Sequence, residues 1–416
     1  MQEVAASYLS EDNLREAHLR LGVLSAGHAI THMPGAALPL IYPLLMKSMG
    51  FGYVDLGTML TITRVIGGLL QGAGGFLTKY MSGRNIIAYE NIGVGLGIGL
   101  CGFVHNYAEL TTVVALGQVA ASPHHPVASS MLSKWFSRER RGVAQATHFA
   151  VANIATVVSP LIATALIPLI GWRNTLYGLS LPAFAVAVLL FMCLPPEMVA
   201  APQSKRGAVR SRDGFFSPLK NPRVRRLIVT ASVTAGGKGL GILQTFLPLF
   251  LLNQMHFSKG FTGILFTLFT VTSVVGPVLA GRLSDKLNRS KVLSFWLFGA
   301  ASLGICLAFM AAFNVWLLAV LLVTFGIFVY GYSPIEQTLV SDITSQAEHA
   351  NTYSLFFGIT YGASALWPLV LSLVVERLGF TPFFLVVAAS YVVGGLIYVT
   401  GNWSAPTASN TGTQTM

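Results

Sequence analysis

Long apolar runs alternate along the chain with short polar or Pro/Gly-rich breaks, and the runs have the length a membrane demands. Crossing roughly 30 Å of hydrocarbon as helix takes about 20 apolar residues. Twelve such stretches fit: 20–46, 54–78, 84–104, 109–135, 142–168, 174–194, 227–254, 260–281, 290–312, 315–341, 351–375 and 381–402. A basic segment punctuated by Pro195, Pro196, Pro202, Pro218 and Pro222 divides them six and six and reads as a linker. The expected fold is all-α and membrane-integral, with twelve transmembrane helices in two pseudo-symmetric six-helix bundles. The expected divisions are a cytoplasmic segment 1–19, a first bundle 20–194, a cytoplasmic linker 195–226, a second bundle 227–402 and a disordered tail 403–416 rich in Ser, Thr and Asn.

Composition points the same way. Of 416 residues, 53% are apolar and 10% charged, and the mean hydropathy is +0.66, too greasy for a soluble chain of this size. Under the twelve-span topology, 20 of the 26 Lys and Arg fall on one side. Lys47, Arg173, Lys259 and Arg377 fall on the other, while Arg64 and Lys238 lie within helices. The positive-inside rule makes the rich side cytoplasmic, with both termini there. Topology and anionic headgroups therefore account for the net charge of +11, and no nucleic-acid partner is needed. The first twenty residues carry Glu3, Glu11, Asp12, Arg15 and Glu16 without a basic stretch before an apolar core, so no cleaved signal peptide is expected.

Cys101, Cys193 and Cys306 are isolated and read as small core residues rather than disulfide or zinc ligands. The chain has no Walker loop, dinucleotide fingerprint, Gly-x-Ser-x-Gly elbow or His-Glu-x-x-His run. A transporter without cofactor, not an enzyme, is the expectation.

Features recur in order between the halves, as in carriers built from repeated bundles. Ala26-Gly27 and Leu38-Pro39-Leu40-Ile41 match Ala235-Gly236 and Leu247-Pro248-Leu249-Phe250 at one shift, and Gly57 and Gly75 match Gly263 and Gly281 at another. Ser122-Pro123 pairs with Ser333-Pro334, and Ser159-Pro160 with Trp367-Pro368. Gly171 and Gly379 then follow the last two prolines by the same interval.

The loop from Gly281 to Lys291, Gly-Arg-Leu-Ser-Asp-Lys-Leu-Asn-Arg-Ser-Lys, resembles the cytoplasmic signature loop of the major facilitator superfamily. Its first-half counterpart keeps Gly75, Gly83 and Arg84 but carries Lys79 where the family places Asp. In that family the acid helps latch helices at the cytoplasmic gate. The resemblance thus implies gate-loop roles for Gly75, Lys79, Arg84, Gly281, Asp285 and Arg289, with an altered latch in the first half. Within the superfamily, several features look like the fosmidomycin-resistance-like drug exporters: Ser25-x-x-His28, Ile41-Tyr42-Pro43-Leu44-Leu45, Leu70-Gln71, His125-Pro126, the run Arg141 to Gln145 leading to Asn153, and Lys238. Val127 stands where that group has an acid, and Thr31-His32 where it has Asn-Asp.

Ionisable groups at membrane depth are expensive and face a cavity or a partner. Counted at about 1.5 Å per residue from the cytoplasmic span ends, His32, Arg64, His124, His125 and Lys238 share a mid-membrane layer. His28 and Glu336 lie slightly nearer the cytosol, and Glu90 and His148 lower still. The layer is cationic and favours an anionic or phosphonate-like solute. The expected substrate contacts are His28, His32, Arg64, His124, His125, Lys238, Tyr42, Tyr361 and Trp367, with Tyr330 and Tyr332 as further aromatics. The Gly236-Gly237-Lys238-Gly239 run implies open space around the lysine. Arg64 has an alternative role as the ion-pair partner of Glu90.

Glu336, Glu90 and His148 are the candidate proton carriers. Asp342 reads as a gate or cap residue. The expected function is proton-coupled export, by antiport and alternating access, of a small organic anion or drug, carried out by a monomer in the cell (inner) membrane. The alternative is a transition-metal carrier using His28, His32, His124 and His125, since His28 and His32 share a helix face.

Overall fold

The structure, a computed structural model, describes residues 11–71, 77–196, 216–311, 313–344 and 348–403. Among these residues every regular element is helical. In chain order they are α1 (Glu11–Met49), α2 (Tyr53–Gln71), α3 (Gly83–Leu100), α4 (Tyr107–Ala121), α5 (His124–Trp135), α6 (Arg138–Cys193), α7 (Pro222–Thr234) and α8 (Gln244–Leu249). Then follow α9 (Lys259–Lys286), α10 (Arg289–Met310), α11 (Val315–Ile343), α12 (His349–Leu378) and α13 (Phe380–Thr400).

Small polar residues start several of these helices. Ser82, Asn106, Asn221, Asn288 and Asn314 each accept a backbone N–H of the first turn of α3, α4, α7, α10 and α11. Each thereby satisfies a donor that has no partner inside its helix.

Nine helices among the described residues are long and apolar enough to cross a membrane. The span Val143–Cys193 alone holds 51 residues, roughly 76 Å of helix at 1.5 Å per residue and about twice what one crossing needs. It breaks at Gly171, whose φ of 77° and ψ of 165° leave helical space. Gly379, between α12 and α13, adopts nearly the same conformation, φ 86° and ψ −173°. These are the paired glycines of the internal repeat. Only glycine takes this backbone region without steric cost.

Two expected spans are interrupted instead. The stretch 109–135 is two helices, α4 and α5, parted at Ser122-Pro123, where the proline ring and missing N–H end regular bonding. The stretch 227–254 is fragmented: α7 gives way to a 3-10 turn at Ala235–Gly237, an extended Lys238, a π turn at Gly239–Leu243, then α8 and a second π turn at Phe250–Gln254. Gly241 takes a φ of 87° within this break.

The chain forms two compact units, Met1–Gln203 with Leu243–Val274, and Ser204–Ile242 with Val275–Met416. In the first, α1 and α3 both pack extensively on α6, around Leu24, Ile87, Val127, Leu132 and Leu190. In the second, α10 packs on α13 and α11. Large apolar side chains such as Leu69, Leu169, Met192, Phe313 and Trp316 are exposed, as a lipid-facing surface requires. In an 18-residue apolar stretch of Pro222–Gln254, 82% of residues are buried, against 33% in such a stretch of Val143–Cys193, so the broken helix is the more enclosed of the two.

The expected terminal and linker boundaries shift. Helix α1 already begins at Glu11, and a 3-10 turn over Ser217–Lys220 leads into α7 at Pro222, five residues before the expected span. Trp403, first residue of the expected tail, is buried, donates Nε1–H to the Tyr398 carbonyl at 3.0 Å and lies tilted at 40° to the Tyr398 ring, 5.2 Å between centroids. Gly75 of the gate loop, residues 1–10, linker residues 197–215 and tail residues 404–416 lie outside the described residues.

Candidate functional site

Four buried polar side chains meet inside the first unit. Helix α1 brings His28, α3 brings Glu90, α5 begins with His124, and α6 brings His148. His124 Nδ1 donates to Glu90 Oε1 at 2.9 Å, with Oε2 at 3.1 Å. Its other ring nitrogen, Nε2, lies 3.3 Å from Nε2 of His148. His148 Nδ1 in turn sits 3.2 Å from the Ser25 hydroxyl. His28 lies flat against both neighbours, with ring centroids 4.4 Å from His124 and 4.3 Å from His148 and interplanar angles of 17° and 19°.

His28 Nδ1 donates to the backbone carbonyl of His148 at 3.3 Å, and a carbonyl can only accept, so Nδ1 holds the hydrogen. His28 Nε2 is buried without a hydrogen-bond partner. His32 and His125 stand at the edge of this cluster, perpendicular to His28 at 4.8 Å and 5.2 Å. His32 is half-buried, whereas His125 is exposed beside Phe149.

The depth ranking along separate helices needs correction here. Glu90 and His148, placed below the others by counting residues, are bonded directly to His124 and belong to one layer with it. Counting from span ends fails because α5 is a separate helix after the Pro123 break and α6 starts at Arg138, four residues before the expected span. Glu90 is taken up by His124 rather than left as the expected partner of Arg64. Arg64, half-buried on α2, acts electrostatically on the buried hydroxyl of Tyr42.

The second unit holds a separate constellation at the break in α7. Helix breaks at membrane depth persist only where neighbours satisfy the freed backbone groups, and three aromatic donors do so. Trp367 Nε1 donates to the Ser232 carbonyl at 3.0 Å, Tyr332 to the Thr234 carbonyl at 2.9 Å, and Tyr391 to the Gly237 carbonyl. The glycines around Lys238 are therefore not there to leave open space. A Cβ at Gly236 would stand 2.5 Å from the Trp367 ring, one at Gly237 2.1 Å from Tyr391, and one at Gly239 2.6 Å from Tyr330. The rings fill that volume, and Trp367 emerges as a clamp on α7.

Beside the break, buried Glu336 of α11 accepts from Tyr398 at 3.0 Å and from Thr234 at 3.3 Å, both at Oε1. Its Oε2 is buried without a hydrogen-bond partner, and Lys238 acts electrostatically on the carboxylate. Thr234, Tyr391, Tyr398 and, in the first unit, Ser25 are absent from the sequence-derived site residues. Of these, only Ser25 enters a sequence motif, Ser25-x-x-His28, and there without a role.

At the gate loop, Arg289 joins three elements, pairing with Asp285 at 3.5 Å and with Asp342 at the end of α11. Gly281, which opens this loop, has no atom within 4 Å of where its Cβ would stand. In the first half Lys79 is exposed, and Arg84 reaches the Phe191 carbonyl at 3.4 Å and Asn85 at 3.2 Å. Tyr361 is exposed on α12, its ring 6.0 Å from Phe357.

The sequence profile of the Major Facilitator Superfamily matches residues 24–261 and 237–413, most of the chain. The chain belongs to that superfamily. Among curated relatives, this facilitator is 23% identical to the fosmidomycin resistance protein of Escherichia coli over 389 residues, 90% of this chain and 91% of that one. It is 22% identical to a probable sulfoacetate transporter of Cupriavidus necator over 289 residues, 67% of each chain. Its fold matches solved facilitators. A nucleoside transporter aligns with a TM-score of 0.78 at 14% identity, covering 92% of this chain and 99% of that one. A D-xylose–proton symporter aligns at 0.75 and 14%, covering 91% and 96%. The facilitator is therefore a multi-pass membrane transporter.

Proposed function

We propose that this facilitator carries a small organic anion through alternating access coupled to protons, with Glu336 as proton carrier and Lys238 as the cation that meets the anion. The observation that carries this reading is the buried Glu336 carboxylate beside the break in α7, one oxygen held by Tyr398 and Thr234 and the other without a hydrogen bond, within electrostatic reach of Lys238. While Glu336 is ionised it balances the lysine. Protonating it releases that charge for a carboxylate, sulfonate or phosphonate. Proton and anion then bind together, and each raises the affinity for the other by the same factor.

Arg64, whose planar fork suits such groups, is a further candidate contact, with His32, His125, Tyr42 and Tyr361. The relatives' names support an anionic cargo: sulfoacetate, fosmidomycin resistance and, at 25% identity over 64% of this chain, a putative glycerol-3-phosphate transporter of Arabidopsis thaliana. None of these names supports a metal as cargo. Twelve crossings, cytoplasmic termini, a monomeric state and the cell (inner) membrane are part of the same proposal, supported by the charge asymmetry of the loops.

Binding of proton and anion together sends the anion along with proton flow. Export by antiport is the second reading, favoured by the likeness to the fosmidomycin resistance protein over nine-tenths of the chain. Proteoliposomes with an imposed pH gradient separate the two. Sulfoacetate, a phosphonate and a neutral sugar are offered on either side. Anion accumulation on the alkaline side, made independent of the gradient by Glu336→Gln, is the expected result. Accumulation on the acidic side establishes antiport, and sugar movement in preference to both anions would sink the anion reading.

A further inference from the structure

We propose that His28, His124 and His148 form a binding site for one borderline divalent transition-metal ion, of the Zn²⁺ type, inside the first unit. One ligand nitrogen from each lies within 4.8 Å of the others, and all three side chains are buried. The Nε2 atoms of His124 and His148 are already 3.3 Å apart. Zinc–nitrogen bonds of about 2.0–2.1 Å at tetrahedral angles put ligand nitrogens about 3.3–3.4 Å apart. The His28 nitrogen must close by at most about 1.5 Å, and its ring, which lies flat against the other two, must turn out of that stack so that its in-plane lone pair meets the ion.

The outer partners match a metal site as well as the spacing does. A ligating imidazole is oriented by an acceptor or hydroxyl on its other nitrogen. Here Nδ1 of His124 faces the Glu90 carboxylate, Nδ1 of His148 faces the Ser25 hydroxyl, and Nδ1 of His28 faces a backbone carbonyl. With hydrogens on the Nδ1 atoms of His124 and His28, their Nε2 atoms carry lone pairs, and His148 offers a third when the Ser25 hydroxyl accepts from its Nδ1. Without metal, a hydrogen on His148 Nε2 donated to His124 Nε2 accounts for the 3.3 Å contact; a bound cation takes the place of that hydrogen, and the buried His28 Nε2, which has no hydrogen-bond partner, is available beside it. Three neutral imidazoles select zinc, copper or nickel over magnesium or calcium, and the Glu90 carboxylate offsets part of the added charge. The fourth position is left for water or an anion.

The ligand set differs from the one read off the sequence. His148 replaces His32 and His125, which lie at the cluster's edge. The ion is a resident ligand that ties α1, α5 and α6 to one another, and to α3 through Glu90. It is not the transported solute, so the inference stands apart from the anion reading.

The test uses tag-free, metal-stripped full-length protein in detergent. Zn²⁺ is titrated by calorimetry, and Co²⁺ is followed by its visible absorption. One ion per chain with the intense bands of tetrahedral nitrogen coordination is expected. His148→Ala should weaken binding more than ~100-fold, and Glu90→Gln and Ser25→Ala by about 10–100-fold, the usual effect of losing an outer partner. His18→Ala, His105→Ala and His256→Ala should change nothing. Should His148→Ala fail to fold, Ser25→Ala carries the test, because it removes only a hydroxyl. The proposal is overturned if well-folded protein binds no ion. It is equally overturned if binding survives both His148→Ala and Ser25→Ala but disappears with a surface histidine. In either case a proton, not a metal, is what His124 and His148 share.

Discussion

Replacing Glu90 exposes the chemistry of the first unit most directly. Its two oxygens stand 2.9 and 3.1 Å from His124 Nδ1, and both residues are buried. Glu90→Ala leaves a buried N–H with no acceptor. If the imidazole is neutral, that costs about 1–3 kcal/mol; if it is charged, about 3–5 kcal/mol, because an uncompensated charge remains in a site closed to water. Glu90→Gln retains an acceptor and should cost only about 0.5–1.5 kcal/mol in the neutral case, the net worth of an ordinary hydrogen bond.

The size of the Ala effect and the gap between Ala and Gln thus report the charge on the pair. The assay is equilibrium unfolding in mixed micelles of mild detergent and SDS, without metal, on wild type, Glu90→Ala, His124→Ala and the double variant. Contacting residues of this kind couple by about 0.5–3 kcal/mol, and a value in the upper half is expected. A coupling below ~0.5 kcal/mol, with the Glu90→Ala variant as stable as wild type, would show that the contact contributes nothing and that the cluster is held by helix packing alone.

Three other outcomes follow from geometry. Gly171→Ala and Gly379→Ala should each destabilise by about 1–2 kcal/mol in the same assay, from backbone strain alone, since neither added Cβ meets an atom within 4 Å. Gly178→Ala, equally open but lacking a positive φ, should be neutral or slightly stabilising. Tyr391→Phe strips the donor from the Gly237 carbonyl and should cost about 1–3 kcal/mol; Gly237→Ala, which drives a methyl into the same ring, should cost as much by overpacking. Arg289→Ala breaks pairs whose carboxylates are exposed at Asp285 and half-buried at Asp342, so stability should fall by about 1 kcal/mol or less, and by less again in high salt.

What could be read in advance follows from what a linear pattern records. Apolar length and the distribution of Lys and Arg are local properties, so the membrane class and most spans were legible from the chain. The paired glycines were legible too, because a left-handed turn between apolar helices admits essentially one residue type. Broken helices were not. Gly236, Gly237 and Gly239 look like freedom in a sequence, but they mark where Trp367, Tyr391 and Tyr330 press on the backbone from more than 90 residues away. The histidine cluster was half legible: His28 and His124 stand out in the sequence as ionisable groups at membrane depth, and the structure brings the two together. His148 and Glu90 were assigned to another depth because residue counting takes no account of where each helix begins or how it tilts. Tyr398 carries no local signal, and Ser25 stands out only as part of the Ser25-x-x-His28 motif, since a buried hydroxyl acquires its role only from the partner it meets.

The single-residue turns at Gly171 and Gly379 also bear on how the protein is made. A translocon sorts a nascent chain segment by segment, using polar loops as punctuation between one crossing and the next. Across Val143–Cys193 the emerging chain offers 51 residues of mean hydropathy up to 2.1, interrupted only by Gly171 and the nearby Arg173-Asn174 pair rather than by a long hydrophilic loop. Neither arm of such a hairpin can pause at the membrane surface while the other is synthesised, so the two should enter the bilayer as a pair. A glycine lost there would be felt first during biogenesis, as misinserted or degraded chain, before any rate of transport could be measured.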